Sequence, residues 1–297
     1  MATVLLQLPL NISRAMEEML KQYGRDMERK NGIQLKIMGQ QLCQPENIAQ
    51  DADLNCWNVP DLVIGHIDYF IKRPKQHLEK NFRSLPGRFP IRQELFEAGL
   101  VDAEGYFNTF AVIPFGVFYN PDMLEEVDLP KVWEDLTQTR WHGRIAMPDK
   151  NHMAPKMLRA FMKASYPEGF GDFLQNSVYM GAPPNVVNSV DEGRYPLGIT
   201  NISFARISRS KNIRLLWPQD GMFCMPLVMV WSKNADERLL EIGDFLMSRK
   251  VQEYLELQTF VPASGEIPIP SLLTDNDLSL RWKGWGNFLT DIKDLKD

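Results

Sequence analysis

Cysteine is scarce in this chain of 297 residues: Cys43, Cys56 and Cys224 are odd in number and form no C-x-x-C pair. That excludes a disulfide framework and a cysteine-rich zinc module. The three read as small buried hydrophobes, with a Cys43–Cys56 bridge open only if the protein is exported. Histidine is scarcer relative to its usual chemistry, with four residues in all. No H-E-x-x-H, Gly-x-Ser-x-Gly, phosphate-loop or G-x-G-x-x-G pattern occurs, so the common catalytic signatures are missing. No window approaches the roughly 18 consecutive apolar residues of a membrane span. Basic residues are scattered rather than striped, and the formal net charge is -5, which argues against a nucleic-acid surface. The first residues, MATVLLQLPLNISRAMEEM, are apolar for only about nine positions and lack a basic start and a cleavage site, so they do not read as a signal peptide. Two readings stay open: a cytoplasmic chain, or an extracytoplasmic one whose leader was replaced by Met1.

What is present is hydrophobic pattern, 44% of the chain, enough for two cores of ordinary domain size. Thr3 to Leu8 reads as a strand, with Asn11 or Ser13 capping the helix that follows. Ile12, Met16, Leu20, Tyr23 and Met27 recur at helical spacing, and Asn31-Gly32 stops that helix. Gln34 to Met38 and Asp61 to Ile64 read as further strands, the second closed by Gly65. Strand, helix, strand, linker, strand is the rhythm of an open parallel sheet.

Phe110 to Tyr119 is an apolar run interrupted by Pro114, which predicts an edge or connecting segment rather than a central strand. Trp133, Leu136 and Trp141 lead into a short strand, Arg144 to Met147, and a second strand-and-helix set begins. Asn151 is placed to cap the next helix, and Pro196 to Ile199 forms a later strand. Phe223 to Trp231 is a second apolar run with a proline near its start. The two runs bracket the second set as outgoing and returning strands. Asn234, with Glu237 at the capping-box position, begins an amphipathic helix buried through Leu239, Ile242, Phe245 and Leu246. Trp282, Trp285 and Phe288 are expected in helical packing on the first lobe. The division expected is residues 1–113 with 225–297 as one lobe and 114–224 as the other.

The segment LPKVWEDLTQTRWHGRIAMPDKN, with VFYNPDML before it, VDEGRYPLGITN, and NADERLLEIGDFLMSRKVQEYL resembles type II periplasmic solute-binding proteins of ABC importers. Within that family it is most similar to the ferric iron, thiamine and polyamine binders. These motifs span roughly residues 105 to 262, and the N-terminal third fits by element order. The resemblance implies an α/β fold of two lobes, each a mostly parallel sheet flanked by helices, joined by two crossing strands. It implies a monomer that captures a small-molecule or ion ligand and hands it to an ABC permease, with no cofactor and no membrane insertion. One departure is explicit: after the strand that reads GIT, the chain continues Asn201-Ile202-Ser203-Phe204, where ferric binders carry adjacent tyrosines. Bare ferric ion is therefore not the expected ligand.

In such a protein a ligand meets loops at the carboxyl ends of strands and the N-termini of helices. That geometry nominates Asn11, His66 and Asp68 in the first lobe, and Lys150, Asn151, His152, Asn201 and Ser203 in the second. Phe115 and Phe223 on the crossing strands would form floor or wall. His66 with Asp68 makes an incomplete metal site, so the metal is left unassigned. Each nominee also has a plain alternative: helix cap, solvated loop residue or core aromatic. Two other roles stay open on the same fold. One is a cytoplasmic ligand sensor or carrier; the other is an enzyme using Cys224 beside a histidine.

Overall fold

The computed structural model describes residues 1–39, 59–71, 73, 75–276 and 279–286, apart from the side chains of Asp68, Ala205 and Arg206. Cys43, Cys56 and Phe288 lie outside them. The chain divides into two compact units. Unit 1 draws on Met1–Ala111, Pro226–Gln258 and Pro262–Pro268, and unit 2 on Val112–Met225, Thr259–Val261 and Ile269–Asp297.

In unit 1, β1 (Ala2–Gln7) is buried at every position but Thr3, so both of its faces are covered. It lies between β2 (Leu35–Met38) and β3 (Leu62–Gly65), parallel to both. Helix α1 (Leu10–Asn31) makes the crossover and buries Ile12, Met16, Leu20, Gly24 and Met27, one stripe at three- and four-residue intervals. Gly32 ends it in the left-handed conformation, with Arg29 and Lys30 in the last turn against the negative end of the helix dipole. The start differs from expectation. Pro9 holds the cap position with no side-chain bond, so Asn11 lies inside the first turn rather than at the cap. The Pro9 carbonyl accepts the Ile12 and Ser13 N–H groups at 3.0 and 2.9 Å, so the backbone itself meets those donors.

Strands β4 (Asn108–Tyr119) and β9 (Met222–Trp231) each run through a unit boundary, at Ala111/Val112 and Met225/Pro226. Both are buried almost throughout. This corrects the exclusion of a central strand there: Phe110 to Tyr119, expected as an edge or connecting segment, connects but is no edge. Proline is tolerated because ladder partners change around it. Residues 115–119 of β4 pair with β7 (Leu197–Asn201), and 117–119 also with β8 (Arg214–Leu216), leaving Pro114 just outside that ladder. In β9, Met222 and Phe223 pair with β11 (Leu280–Arg281) while Val228–Trp231 pair with β3, and Pro226 falls between. Gln252, on the helix Arg249–Leu257, is fully buried in unit 1. Its amide donates to the Phe110 and Leu246 carbonyls at 2.9 and 2.8 Å and accepts from Ser264 N–H at 3.0 Å. A buried amide so satisfied fixes its surroundings.

Unit 2 is built on β5 (Ile145–Met147), β6 (Ser177–Tyr179), β7 (Leu197–Asn201) and β8 (Arg214–Leu216). β5 runs parallel to both β6 and β7, while β7 and β8 run antiparallel to β4. Helices α2 (Met153–Ser165), α3 (Phe170–Asn176) and α4 (Pro183–Asp191) join these strands. Gly198 lets α4 settle onto β7: a Cβ there would stand 2.8 and 2.9 Å from the Val190 and Val186 side chains.

The C-terminal segment also differs from expectation. Rather than forming a helix on unit 1, it contributes β11 (Leu280–Arg281), parallel to Met222-Phe223 in unit 2. Trp282 and Trp285 follow outside any helix. The Arg281 guanidinium pairs with Asp220 and donates to Tyr166 Oη at 2.9 Å, and Tyr166 in turn donates to Asp220 at 2.8 Å. That charge-assisted triad holds the segment where it is. The amphipathic helix after β9 is shifted too. Asp236, not Asn234, accepts the Arg238 N–H at 3.0 Å and opens a 3₁₀ turn, Glu237–Leu239, before the helix Leu240–Leu246.

Candidate functional site

In unit 1 the parallel register Gln7↔Gly65 sets the loops after β1 and β3 side by side at the carboxyl ends of the strands. Gly65 is indispensable to that approach. Its φ is +115°, and a Cβ would stand 1.9 Å from the Gln7 carbonyl oxygen. The same carbonyl accepts the His66 N–H at 2.6 Å, and the Gln7 side chain accepts the Tyr69 N–H at 3.2 Å. His66 is thereby held inward, 7% exposed, with Nδ1 buried and without a hydrogen-bond partner among the described residues. Burial pulls its pKa from 6.5 to about 4, so the ring is neutral at pH 7. Asn11 lies half-buried one residue into α1. Asp68 opens the short helix Asp68–Ile71, and its side chain is outside the described atoms.

In unit 2 the parallel pairing of β5 with β7 brings the loops after both strands to one end of the sheet. Lys150, Asn151 and His152 are exposed on the first of these loops. Asn151 does not cap α2: its N–H donates to Asp149 Oδ1 at 2.8 Å, and His152 takes the cap position with no side-chain bond. The turn that Asp149 nucleates moves the helix start one residue on. The first N–H groups of α2, on Met153 and Ala154, have no acceptor among the described residues, and Pro155 has no N–H to offer. On the second loop Asn201 is buried and accepts the Ser203 N–H at 3.0 Å, which starts the 3₁₀ turn Ile202–Ile207.

Phe115 and Phe223 are 4% and 2% exposed, with ring centroids 5.4 Å apart. Phe223 also meets Phe161 at 5.1 Å and Trp133 at 6.2 Å. The pair is thus part of an aromatic core of unit 2. Cys224, fully buried, donates to the Arg281 carbonyl at 3.5 Å, and burial drives its thiol far above the ordinary range. A nucleophilic thiol needs the opposite environment, so the enzymatic reading of Cys224 fails on physical grounds.

Two residues with a bearing on the site escaped the sequence reading. Arg159 on α2 is as buried as His66, and Tyr179 ends β6, the strand beside β5. The signal for Arg159 was available: a cation in the run Met157-Leu158-Arg159-Ala160-Phe161-Met162, where helical spacing leaves little solvent-facing surface. Among the described residues no group of three or more His, Cys, Asp or Glu side chains is placed to hold a metal ion. No helix among them is long and apolar enough to cross a membrane.

Comparison with known structures finds the same fold. The ferric binding protein of Campylobacter jejuni superposes with a TM-score of 0.72 at 14% identity, over 99% of this chain and 95% of that one. The apo ferric ion-binding protein A of Pasteurella haemolytica gives 0.69 at 15%, over 98% and 93%. An ABC transporter protein of Clostridium perfringens gives 0.63 at 16%, over 98% and 92%. No curated protein matches the sequence itself. The profile of the family described as bacterial extracellular solute-binding protein matches residues 58–290, more than three-quarters of the chain. Two α/β units, two strands shared by both, and this match place the chain among the bacterial extracellular solute-binding proteins, the ligand-capturing components of ABC importers.

Proposed function

We propose that the chain binds a small polar or anionic solute, unchanged by any reaction, and presents it as a monomer to an ABC permease. The observation that carries this is the start of α2, whose Met153 and Ala154 N–H groups have no acceptor among the described residues and face the loop bearing Asn151 and His152. Such a terminus favours negative charge. Asn201 and Ser203 at the same sheet end, with Asn11 and the neutral His66 in unit 1, supply uncharged hydrogen-bonding groups. The missing tyrosine pair at 201–204 speaks against bare ferric ion as cargo. Binding is proposed to close the two units about β4 and β9, stabilised by the solute's higher affinity for the closed state.

Thermal unfolding of the purified chain against a panel of carboxylates, phosphates, polyamines, thiamine and ferric citrate tests the proposal. A solute at 100 times its Kd stabilises by about 2.7 kcal/mol, a shift of a few degrees at this size. At least one anionic or neutral polar solute is expected to give that shift, with a smaller radius of gyration in solution scattering. A response to ferric ion alone, or conversion of the solute, would sink the reading.

A further inference from the structure

Arg159 is the anomaly of unit 2. Its side chain is 7% exposed, its Nε is buried without a partner, and no ion pair, hydrogen bond or ring contact to its guanidinium is found among the described residues. Every other strongly buried polar side chain described above makes at least one hydrogen bond, except His66 at Nδ1. Guanidinium stays protonated at any physiological pH, so it cannot escape by losing its charge as a buried histidine does. Nε is both buried and without an acceptor, and a desolvated guanidinium nitrogen left unmatched is costly for a fold to keep.

The surroundings narrow what would satisfy it. Arg159 lies seven residues after His152 and four after Pro155, so all three share one side of α2, and long helical side chains lean back toward the N-terminus. Tyr179 ends β6 and is half-buried. Burial lifts its phenol above the ordinary range, while the Arg159 cation pulls against that lift and the Asp149 carboxylate adds to it. Tyr179 therefore lies within electrostatic reach of both Arg159 and Asp149. Asp149 is nonetheless no counterion: it makes no ion pair with Arg159 and spends Oδ1 on the Asn151 N–H. No hydrogen bond of the Tyr179 hydroxyl is found among the described residues either.

We propose that Arg159 and the Tyr179 hydroxyl form an oxyanion-binding subsite in unit 2, and that the transported solute is a small organic molecule carrying a carboxylate or phosphate-type group. The guanidinium fork grips two oxygens of such a group at once, and the phenol donates to a free lone pair of one of them or, in a phosphate-type group, to a third oxygen. This rests on the solute-binding reading and sharpens it from polar or anionic to an obligatory oxyanion.

The test compares the full chain with Arg159→Met, Arg159→Lys and Tyr179→Phe. Inorganic phosphate, succinate, citrate and a phosphonate serve as probes, with glucose and thiamine as the non-anionic controls, and calorimetry and thermal unfolding as readouts. The parent is expected to bind at least one oxyanion, and the best probe separates carboxylate from phosphate recognition. Losing a charge-assisted hydrogen bond weakens binding roughly 10- to 150-fold, so Arg159→Met should lose affinity by that range and Tyr179→Phe by less. Arg159→Lys keeps the charge but not the fork and should fall between them. Without anion, Arg159→Met should unfold at the parent's temperature or above, because an uncompensated buried charge is gone. A purely structural arginine predicts the reverse, a lower unfolding temperature with anion affinity unchanged, and that result overturns the proposal. Tight binding of glucose or thiamine alone, unaffected by Arg159→Met, overturns the subsite while leaving solute binding intact. A parent that binds no member of the panel overturns both.

Discussion

The two units hold their candidate ligand groups in opposite electrostatic states. At the strand ends of unit 1, Gln7, Gly65 and His66 are packed so that the imidazole is desolvated into its neutral form. At the strand ends of unit 2, a helix terminus and a buried guanidinium leave positive charge without a protein partner among the described residues. The difference is one of division of labour. Neutral donors and acceptors discriminate by shape and hydrogen-bond pattern, because an unmatched polar atom is costly on either side. Unmatched positive charge selects an anion first and its shape second.

The largest effect expected from breaking this contrast comes from the scaffold of unit 2. Phe223→Ala removes the ring shared by Phe115, Phe161 and Trp133 and should cost roughly 3–5 kcal/mol in denaturant unfolding. A loss below about 1 kcal/mol would mean that the ring is not core. A smaller effect belongs to unit 1 and depends on pH. Folded His66 titrates near 4 and the unfolded residue near 6.5, so between those values only the unfolded chain takes up the proton. Stability from this group is complete above pH 6.5 and declines as pH falls toward 4, by on the order of 3 kcal/mol. Unfolding of the parent and of His66→Gln at pH 7.5 and pH 4.5 checks the sign: the variant's profile should be flatter. Parallel profiles would show that the imidazole is not buried in solution.

The same contrast explains what the sequence could and could not disclose. Elements governed by local pattern were legible: the stripe Ile12–Met27, its stop at Gly32, and the strand ending at Gly65 follow from periodicity and glycine's conformational freedom. The family motifs located the second set of strands and helices. Caps were read one to two residues away from where they lie, at Asn11, Asn151 and Asn234, because proline at position 9 and the turns around Asp149 and Ser232 compete for the same role. Pro114 predicts an edge or connecting segment rather than the buried strand β4 is, because a proline's missing N–H matters only if a partner faces it. That depends on ladder registers distant in sequence. The C-terminal segment was misplaced because its anchor, Arg281 with Asp220 and Tyr166, is an arrangement of residues far apart along the chain. Arg159 went unread for a related reason: a lone arginine in a helix looks solvated until all sides of that helix are seen to be covered.

The claim on which the rest depends is that this chain carries an oxyanion-bearing solute. Purifying it without added ligand, denaturing it, and identifying the released small molecules by mass spectrometry tests that most directly. Release of a carboxylate- or phosphate-bearing organic molecule in near-stoichiometric amount, absent from Arg159→Met prepared in parallel, is the result predicted. Release of a cationic or uncharged solute, equally retained by the variant, would contradict it.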